Sequence, residues 1–490
     1  MAIAQGSCPS CGALIEFGLG ASMARVCTAC RATVVRMDRG LQDFGKIAAL
    51  ADTPSLIAVG DQGTLDGRAF EVLGRVQLDY GLGPWDEYYV AFDYGKEWGW
   101  LAYAQGRWYL TFLVANLAAP PREAIRVDED VELPIGRFTV AEARNARVIS
   151  AEGELPDPIT PGELRVYADA YGAQNAFVTF DYGNSSERSS VFAGKVLPDS
   201  HLTVVTPGPR TARKVKTTQM QCPSCGGDVP KLHEGRAERL GCPYCGAVSD
   251  IQTRSVVAQQ EKLLQMPDIP IGTSGTFESD SYLCLAYLRR STEVEGETYG
   301  WEEYLLFSAD KGYRWLVKDP ETGWSSVSFL NPAEIDRSSL PHALRYSNQT
   351  FDAANRSLAR VDYVLGEVYW KCSIGETVSV ADFKSGQAII SREHDSNEVN
   401  YSYGRNIRWS KIATAFQLPV KGAGGKGIAT GGGSSGGAGC GTIIGVIILV
   451  IILIIVLAIA AASTGWSSGG GVFVGGGSSY RGGGSYSGGK

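Results

Sequence analysis

From Leu56 onward the chain alternates apolar and polar residues in short runs, broken by Gly, Pro, Asn and Asp. Arg68-Ala-Phe-Glu-Val-Leu-Gly-Arg-Val, Tyr88-Tyr-Val-Ala-Phe, Trp98-Gly-Trp-Leu-Ala-Tyr and Arg107-Trp-Tyr-Leu-Thr-Phe all have a period of two and are rich in aromatic and β-branched residues. They predict strands, and their close spacing predicts an antiparallel barrel or sandwich. The same order returns as Tyr282-Leu-Cys-Leu-Ala-Tyr-Leu, Trp301-Glu-Glu-Tyr-Leu-Leu-Phe, Tyr313-Arg-Trp-Leu-Val and Trp324 to Phe329. Ahead of each set, a short segment stops at a proline: Asp43 to Ala51 before Pro54, and Ser255 to Met266 before Pro267. Both are expected to be linker helices.

Past Pro419 the alternation ends. Residues 421–441 are rich in Gly and Ser and predict a flexible linker. Thr442 to Ala462 is an uncharged run of Ile, Val and Leu. At about 1.5 Å per residue, about 20 helical residues reach about 30 Å, the thickness of a bilayer core. A single transmembrane helix is expected there, followed by a disordered tail from Ser463 to Lys490.

The two sets of strands belong to a duplication. Trp85-Asp86-Glu87-Tyr88 matches Trp301-Glu302-Glu303-Tyr304, and Trp100-Leu101 matches Trp315-Leu316. Gly153-Glu154-Leu155 matches Gly366-Glu367-Val368, and Gly162-Glu163 … Ala168-Asp169 matches Gly375-Glu376 … Ala381-Asp382. Each copy is headed by two Cys-x-x-Cys knuckles: Cys8, Cys11, Cys27 and Cys30 in the first, Cys222, Cys225, Cys242 and Cys245 in the second. Fifteen and sixteen residues separate the knuckles, the spacing of a four-thiolate zinc ribbon. The expected fold is mainly β: a tandem duplication of zinc ribbon plus antiparallel β-barrel or sandwich, with one C-terminal transmembrane helix. The expected segments are ribbon 1–40, helix 41–55, β-domain 56–206, basic linker and ribbon 207–252, helix 253–267, β-domain 268–419, linker 420–441, membrane helix 442–462 and tail 463–490.

At 490 residues the chain has room for several cores, and a net charge of −7 disfavours a nucleic-acid coat. The basic run from Arg210 to Lys216 is a local exception that can lie in solvent or against anionic lipid headgroups. Eight of the 11 cysteines sit in the knuckles. Cys284, Cys372 and Cys440 share no spacing, which argues against a disulfide framework and for a reducing compartment. No basic region followed by an apolar stretch opens the chain, so no cleavable signal is expected, and thiolate ligands, which persist where the compartment is reducing, place the bulk on the cytosolic side of the inner membrane.

Four cysteines per ribbon leave a zinc ion no open position, so two structural ions are expected and no catalysis by them. The acids at Asp86-Glu87 and Glu302-Glu303 are adjacent on strands and point to opposite faces, which argues against an acid–base pair. If acids of the first copy line a cleft with Trp98, Trp100 and Trp108, that cleft suits a small organic cation. His201, His233, His342 and His394 are isolated in sequence, and no catalytic residue is expected.

The doubled order of Cys-Pro-Ser-Cys ribbon, Trp-x-Glu-Tyr strand and Gly-Glu … Ala-Asp resembles the bacterial domain-of-unknown-function family four-one-seven-eight over residues 7 to about 419. The resemblance implies bacterial proteins without an assigned activity, in membrane-stress or polyamine-linked settings. The expected function is a membrane-anchored zinc-ribbon scaffold or binding protein without catalytic activity, partnered by the lipid bilayer and another protein. The alternatives are a β-domain that binds or acts on a cationic metabolite, and ribbons that hold nucleic acid at the membrane.

Overall fold

The structure, a computed structural model, describes residues 4–17, 24–37, 40–46, 56–80, 84–160, 162–183, 189–206, 219–232, 237–251, 253–261, 266–294 and 296–419. Two eight-stranded antiparallel barrels dominate it. The first comprises β1 (Arg68–Asp79), β2 (Pro84–Phe92), β3 (Glu97–Ala104), β4 (Arg107–Leu113), β5 (Gly136–Leu155), β6 (Leu164–Gly172), β7 (Ala176–Asp181) and β8 (Ser190–Pro198). The second comprises β9 (Asp280–Val294), β10 (Glu297–Ser308), β11 (Gly312–Asp319), β12 (Gly323–Phe329), β13 (Gln349–Val368), β14 (Thr377–Ser385), β15 (Ala388–His394) and β16 (Val399–Ile407). In each barrel the first four strands form one meander and the last four another. The meanders join edge to edge: β1 pairs with β5 and β4 with β8, just as β9 pairs with β13 and β12 with β16. Closure leaves no free strand edge in the wall.

Several strands are buried on both faces. In the first barrel the inner face carries Val76, Leu78, Trp85, Trp100 and Tyr167, while Tyr88, Val90, Leu101 and Trp108 face outward under Ile57 and Leu65. In the second, Tyr282, Tyr304 and Leu316 face outward beneath Ile412 and Phe416 at α1 (Trp409–Ala415). Double burial explains the continuous apolar run from Tyr282 to Leu288 in β9.

Each ribbon is a pair of hairpins. The first joins Ala4–Ser7 with Leu14–Phe17 and Ala24–Val26 with Ala32–Met37; the second joins Gln219–Gln221 with Asp228–Pro230 and Arg239–Gly241 with Ala247–Asp250. The expected linker helices are replaced, over the described residues, by a strand added to the second hairpin of each ribbon: Gly40–Lys46 beside Ala32–Met37, and Val256–Gln259 beside Ala247–Asp250. A short isolated helix is marginal in water, whereas an open ribbon edge offers a ready hydrogen-bond ladder. Residues 47–55 and 262–265 lie outside the described residues, as do the basic run Arg210 to Lys216, the Gly-rich linker, the run 442–462 and the tail. Among the described residues no helix is long and apolar enough to cross a membrane.

Ribbon and barrel share one sheet. β5 and β13 are 20 residues long, about 65 Å at ~3.3 Å per residue, where most barrel strands have seven to nine. Their far ends leave the wall and pair with the ribbons: Glu154 with Arg25 and Leu155 with Ala24, then Gly366 with Gly241 and Val368 with Arg239. At the departure points Gly153 and Gly366 hold φ of +77° and +81°, and a Cβ there would lie 2.2 and 2.3 Å from the carbonyl oxygens of Leu73 and Leu285. The repeated Gly-Glu pair is therefore a backbone requirement. The second repeated pair caps a turn: Gly162 and Gly375 have positive φ, and Glu163 and Glu376 accept from the backbone N–H of Thr160 and Ser373.

The barrels meet across a polar seam. Asp128 accepts from Arg392 at 2.8 Å and from the Tyr401 hydroxyl at 3.0 Å, Arg144 reaches Glu398 at 2.7 Å, and Asn331 donates to the Gly172 carbonyl at 2.9 Å. Tyr171 packs against Phe329 with ring centroids 5.6 Å apart.

Candidate functional site

Two kinds of site emerge: a sulfur cluster in each ribbon and the interior of the second barrel. In each ribbon, a knuckle from one hairpin faces a knuckle from the other. The sulfurs of Cys8, Cys11, Cys27 and Cys30 all lie within 4.8 Å of one another, as do those of Cys222, Cys225, Cys242 and Cys245, an arrangement able to hold a metal ion. Opposed pairs are closer still: Cys8 to Cys30, Cys11 to Cys27 and Cys222 to Cys245 are 3.7 Å apart, and Cys225 to Cys242 is 3.9 Å. The knuckle backbone turns tightly, with Gly12 and Gly226 donating to the carbonyls of Cys8 and Cys222. The Ala32 N–H pulls the Cys30 thiol down to about 7. At Cys245 burial opposes the change, but the Ala247 N–H and the neighbouring thiols bring it to about 7 as well. One thiol of each ribbon is thus poised near neutral pH, while burial raises Cys8 and Cys242.

No other group of three or more His, Cys, Asp or Glu side chains among the described residues is placed for a metal. His201 sits 3.1 Å from Asp66 at the surface, and His233 and Cys440 lie outside the described residues. Cys284 and Cys372 are buried free thiols, and burial pushes Cys284 up to about 12.

The two barrel interiors differ sharply. Trp85, Glu87 and Tyr167 of the first line a remnant of only about 20 Å³, whereas the second encloses about 710 Å³. Matching the strand registers shows why. Where the first barrel has Tyr109, Tyr167, Phe177 and Phe192, the second has Ser325, Val380, Ile389 and Ser402. Where the first has Leu78, cross-strand from Trp85, the second has Arg290, cross-strand from Trp301. One cage has lost its filling. The cleft expected around Trp98, Trp100 and Trp108 does not form: Trp108 faces outward, and Trp100 is packed inside the filled barrel.

Some polar features of the interior are common to both copies. Trp85 donates to Glu87 at 3.4 Å and Trp301 to Glu303 at 2.6 Å, which accounts for the repeated Trp-x-Glu. Thr179 donates to Asp169 and Ser391 to Asp382, each at 2.5 Å, which accounts for the repeated Ala-Asp. Particular to the second barrel is Arg290, whose Nη1 lies 2.8 Å from Glu393 and 3.4 Å from Glu303. The adjacent acids point apart, Asp86 to Arg75 at 2.9 Å and Glu302 to Lys318 at 3.2 Å, both on the outer face. The open interior went unread in the sequence, although its signal was present as large aromatics in one copy aligned with small residues in the other.

Burial raises the Glu303 carboxyl above its ordinary 4.5, outweighing the attraction of Arg290, and burial likewise raises Asp382 above 3.8. The folded chain therefore holds these protons over a range where the unfolded chain releases them. The stability they contribute is complete below about pH 4 and declines as pH rises through the raised values. Replacing Glu303 with Gln is expected to flatten the fall in stability as pH rises above the ordinary carboxyl value, measured by urea unfolding of the full-length protein. An unchanged slope would show that Glu303 titrates normally.

No curated protein and no solved structure matches the chain. A family model does, twice: that of Domain of unknown function (DUF4178), over residues 58–199 and again over 270–408. Those segments enclose β1 to β8 and β9 to β16. With more than half its length matched, the chain belongs to the DUF4178 family and carries that domain in tandem.

Proposed function

We propose that this protein is a membrane-tethered binding protein, in which two zinc ions brace the ribbons, the first barrel is a solid support and the second receives a small molecule. The observation that carries the reading is the emptied interior of β9 to β16 beside the filled interior of a barrel with the same strand order. About 710 Å³ lies within the ~300–1,000 Å³ of small-molecule pockets, and eight-stranded barrels are wide enough to hold one small ligand. Zinc suits the sulfur clusters because four thiolates at ~2.3 Å in a tetrahedron stand ~3.8 Å from one another. The 3.7 to 3.9 Å between opposed sulfurs matches that spacing. Each ion would close its ribbon and leave no position for substrate. The uncharged run 442–462 serves in this reading as a single-pass anchor, with the thiolate-bearing body on the reducing, cytosolic side.

Binding is favoured over catalysis because the acids lining the cavity are engaged: Glu303 by Trp301 and Arg290, Glu393 by Arg290, Asp382 by Ser391. The test restores the first barrel's filling. Full-length protein is expected to take up the neutral fluorophore N-phenyl-1-naphthylamine, and the pair Val380→Tyr with Ser402→Phe to lower that affinity at least tenfold while keeping its circular dichroism and metal content. Undiminished uptake in the filled variant would dismiss the barrel interior as the binding site.

A further inference from the structure

The second barrel's interior is electrically lopsided. Six carboxylates line it against three cationic side chains. Glu303 and Glu393 share a single cation, Arg290, while Asp382 has Lys384 and Arg290 nearby. That arginine contacts Glu393 and Glu303 through the same nitrogen, Nη1. Glu303 is buried and Asp382 and Glu393 are half-buried, and an opposite charge brought among them is favoured. Above them the wall is flat and apolar: Trp301, Trp315 and Trp370 line the chamber with Val361 and Val378. Tryptophan faces attract cations as well as apolar groups. A second observation also points to an absent occupant. Thr292 is nine-tenths buried and lines the cavity, yet its Oγ1 has no hydrogen-bond partner, and the buried Nε of Arg290 has none either. Native interiors rarely leave such groups unsatisfied.

Resting on the reading of the interior as a binding site, we propose that its ligand is an organic monocation: an ammonium or amidinium head seated among Glu393, Asp382 and Glu303, with an apolar body against Trp301 and Trp315. Thr292 supplies an oxygen that can accept from such a ligand's N–H. The filled barrel carries acids at the matching positions, Glu87, Asp169 and Asp181, but has no room beside them. The acids therefore belong to the shared cage, and the space makes them available.

The test uses the full-length, metal-loaded chain and three probes that share one body: phenethylammonium, neutral 2-phenylethanol and anionic 3-phenylpropanoate, titrated by calorimetry. Phenethylammonium is expected to bind at least tenfold more tightly than the alcohol, and the carboxylate to bind more weakly than either. Glu393→Gln is expected to lower phenethylammonium affinity about tenfold. Asp382→Asn provides the same readout should the first variant lose its metal or its circular dichroism. Alcohol or carboxylate binding as tightly as the ammonium, with N-phenyl-1-naphthylamine still taken up, would overturn the charge assignment and leave the binding site standing. Absence of binding by all three probes and by the dye would overturn both.

Discussion

Replacing Cys242 with Ser is expected to remove one metal ion of two and to unravel the second ribbon together with the end of β13. Cys242 is buried, and it stands in the knuckle between Arg239–Gly241, which pairs with β13, and Ala247–Asp250. Structural zinc supplies ~10–16 kcal/mol of apparent binding energy to small sites at neutral pH, and this is folding energy for a ribbon whose own core is a handful of residues. The ribbon core is Met220, Val229, Leu240 and Ala247 with the cysteines themselves. The loss should spread, because Val248 also belongs to the buried cluster that floors the second barrel with Leu288, Phe307 and Trp370. Metal analysis should fall from two ions per chain to one. Amide exchange should accelerate at residues 239–241 and 366–368, while residues 24–26 and 153–155 of the first copy remain protected. Two ions retained, or exchange confined to the knuckle, would contradict a sheet shared between ribbon and barrel.

Gly366→Ala is expected to destabilise the fold through a backbone clash. The new Cβ would lie 2.3 Å from a backbone oxygen in a strand fixed on both sides, at a φ of +81° that alanine rarely adopts. Strain of ~1–3 kcal/mol from the backbone angle adds to the displacement of β9, placing the total at roughly 3–5 kcal/mol. Gly375→Ala is the control. Its φ is +84°, but nothing lies within 4 Å, so only the same angle strain of ~1–3 kcal/mol applies. Urea unfolding of the pair separates the effects, and equal losses would refute the clash with the Leu285 carbonyl.

The sequence made the plan of the molecule legible wherever a local chemical rule applied. Two knuckles at fixed spacing announce a metal cluster, because chelation needs four sulfurs and little else. Period-two runs with Trp85 and Trp301 in register announce matching strands. What a linear pattern hides is which face of a doubly buried strand looks inward: Trp100 and Trp108 read alike, yet one fills a barrel and the other lies outside it. The segments after each ribbon were misread for a related reason. The residues from Asp43 to Lys46 have no decisive propensity, and their state is set by a neighbouring edge that lies outside the window. The cavity follows from a difference between copies, such as Tyr167 against Val380, and is invisible in either copy alone.

The joint between ribbon and long strand also bears on how a doubled chain avoids mispairing. Arg25 and its partner Glu154 are separated by 129 residues. At ~5–20 residues per second of synthesis, the first ribbon waits roughly ten seconds for the strand it docks on. By the time Arg239–Gly241 leaves the ribosome, that earlier strand is already occupied, so the later ribbon meets a vacant mate only in its own half. The order of translation thus sorts cognate from foreign partners, a safeguard that refolding of the finished polypeptide from denaturant lacks.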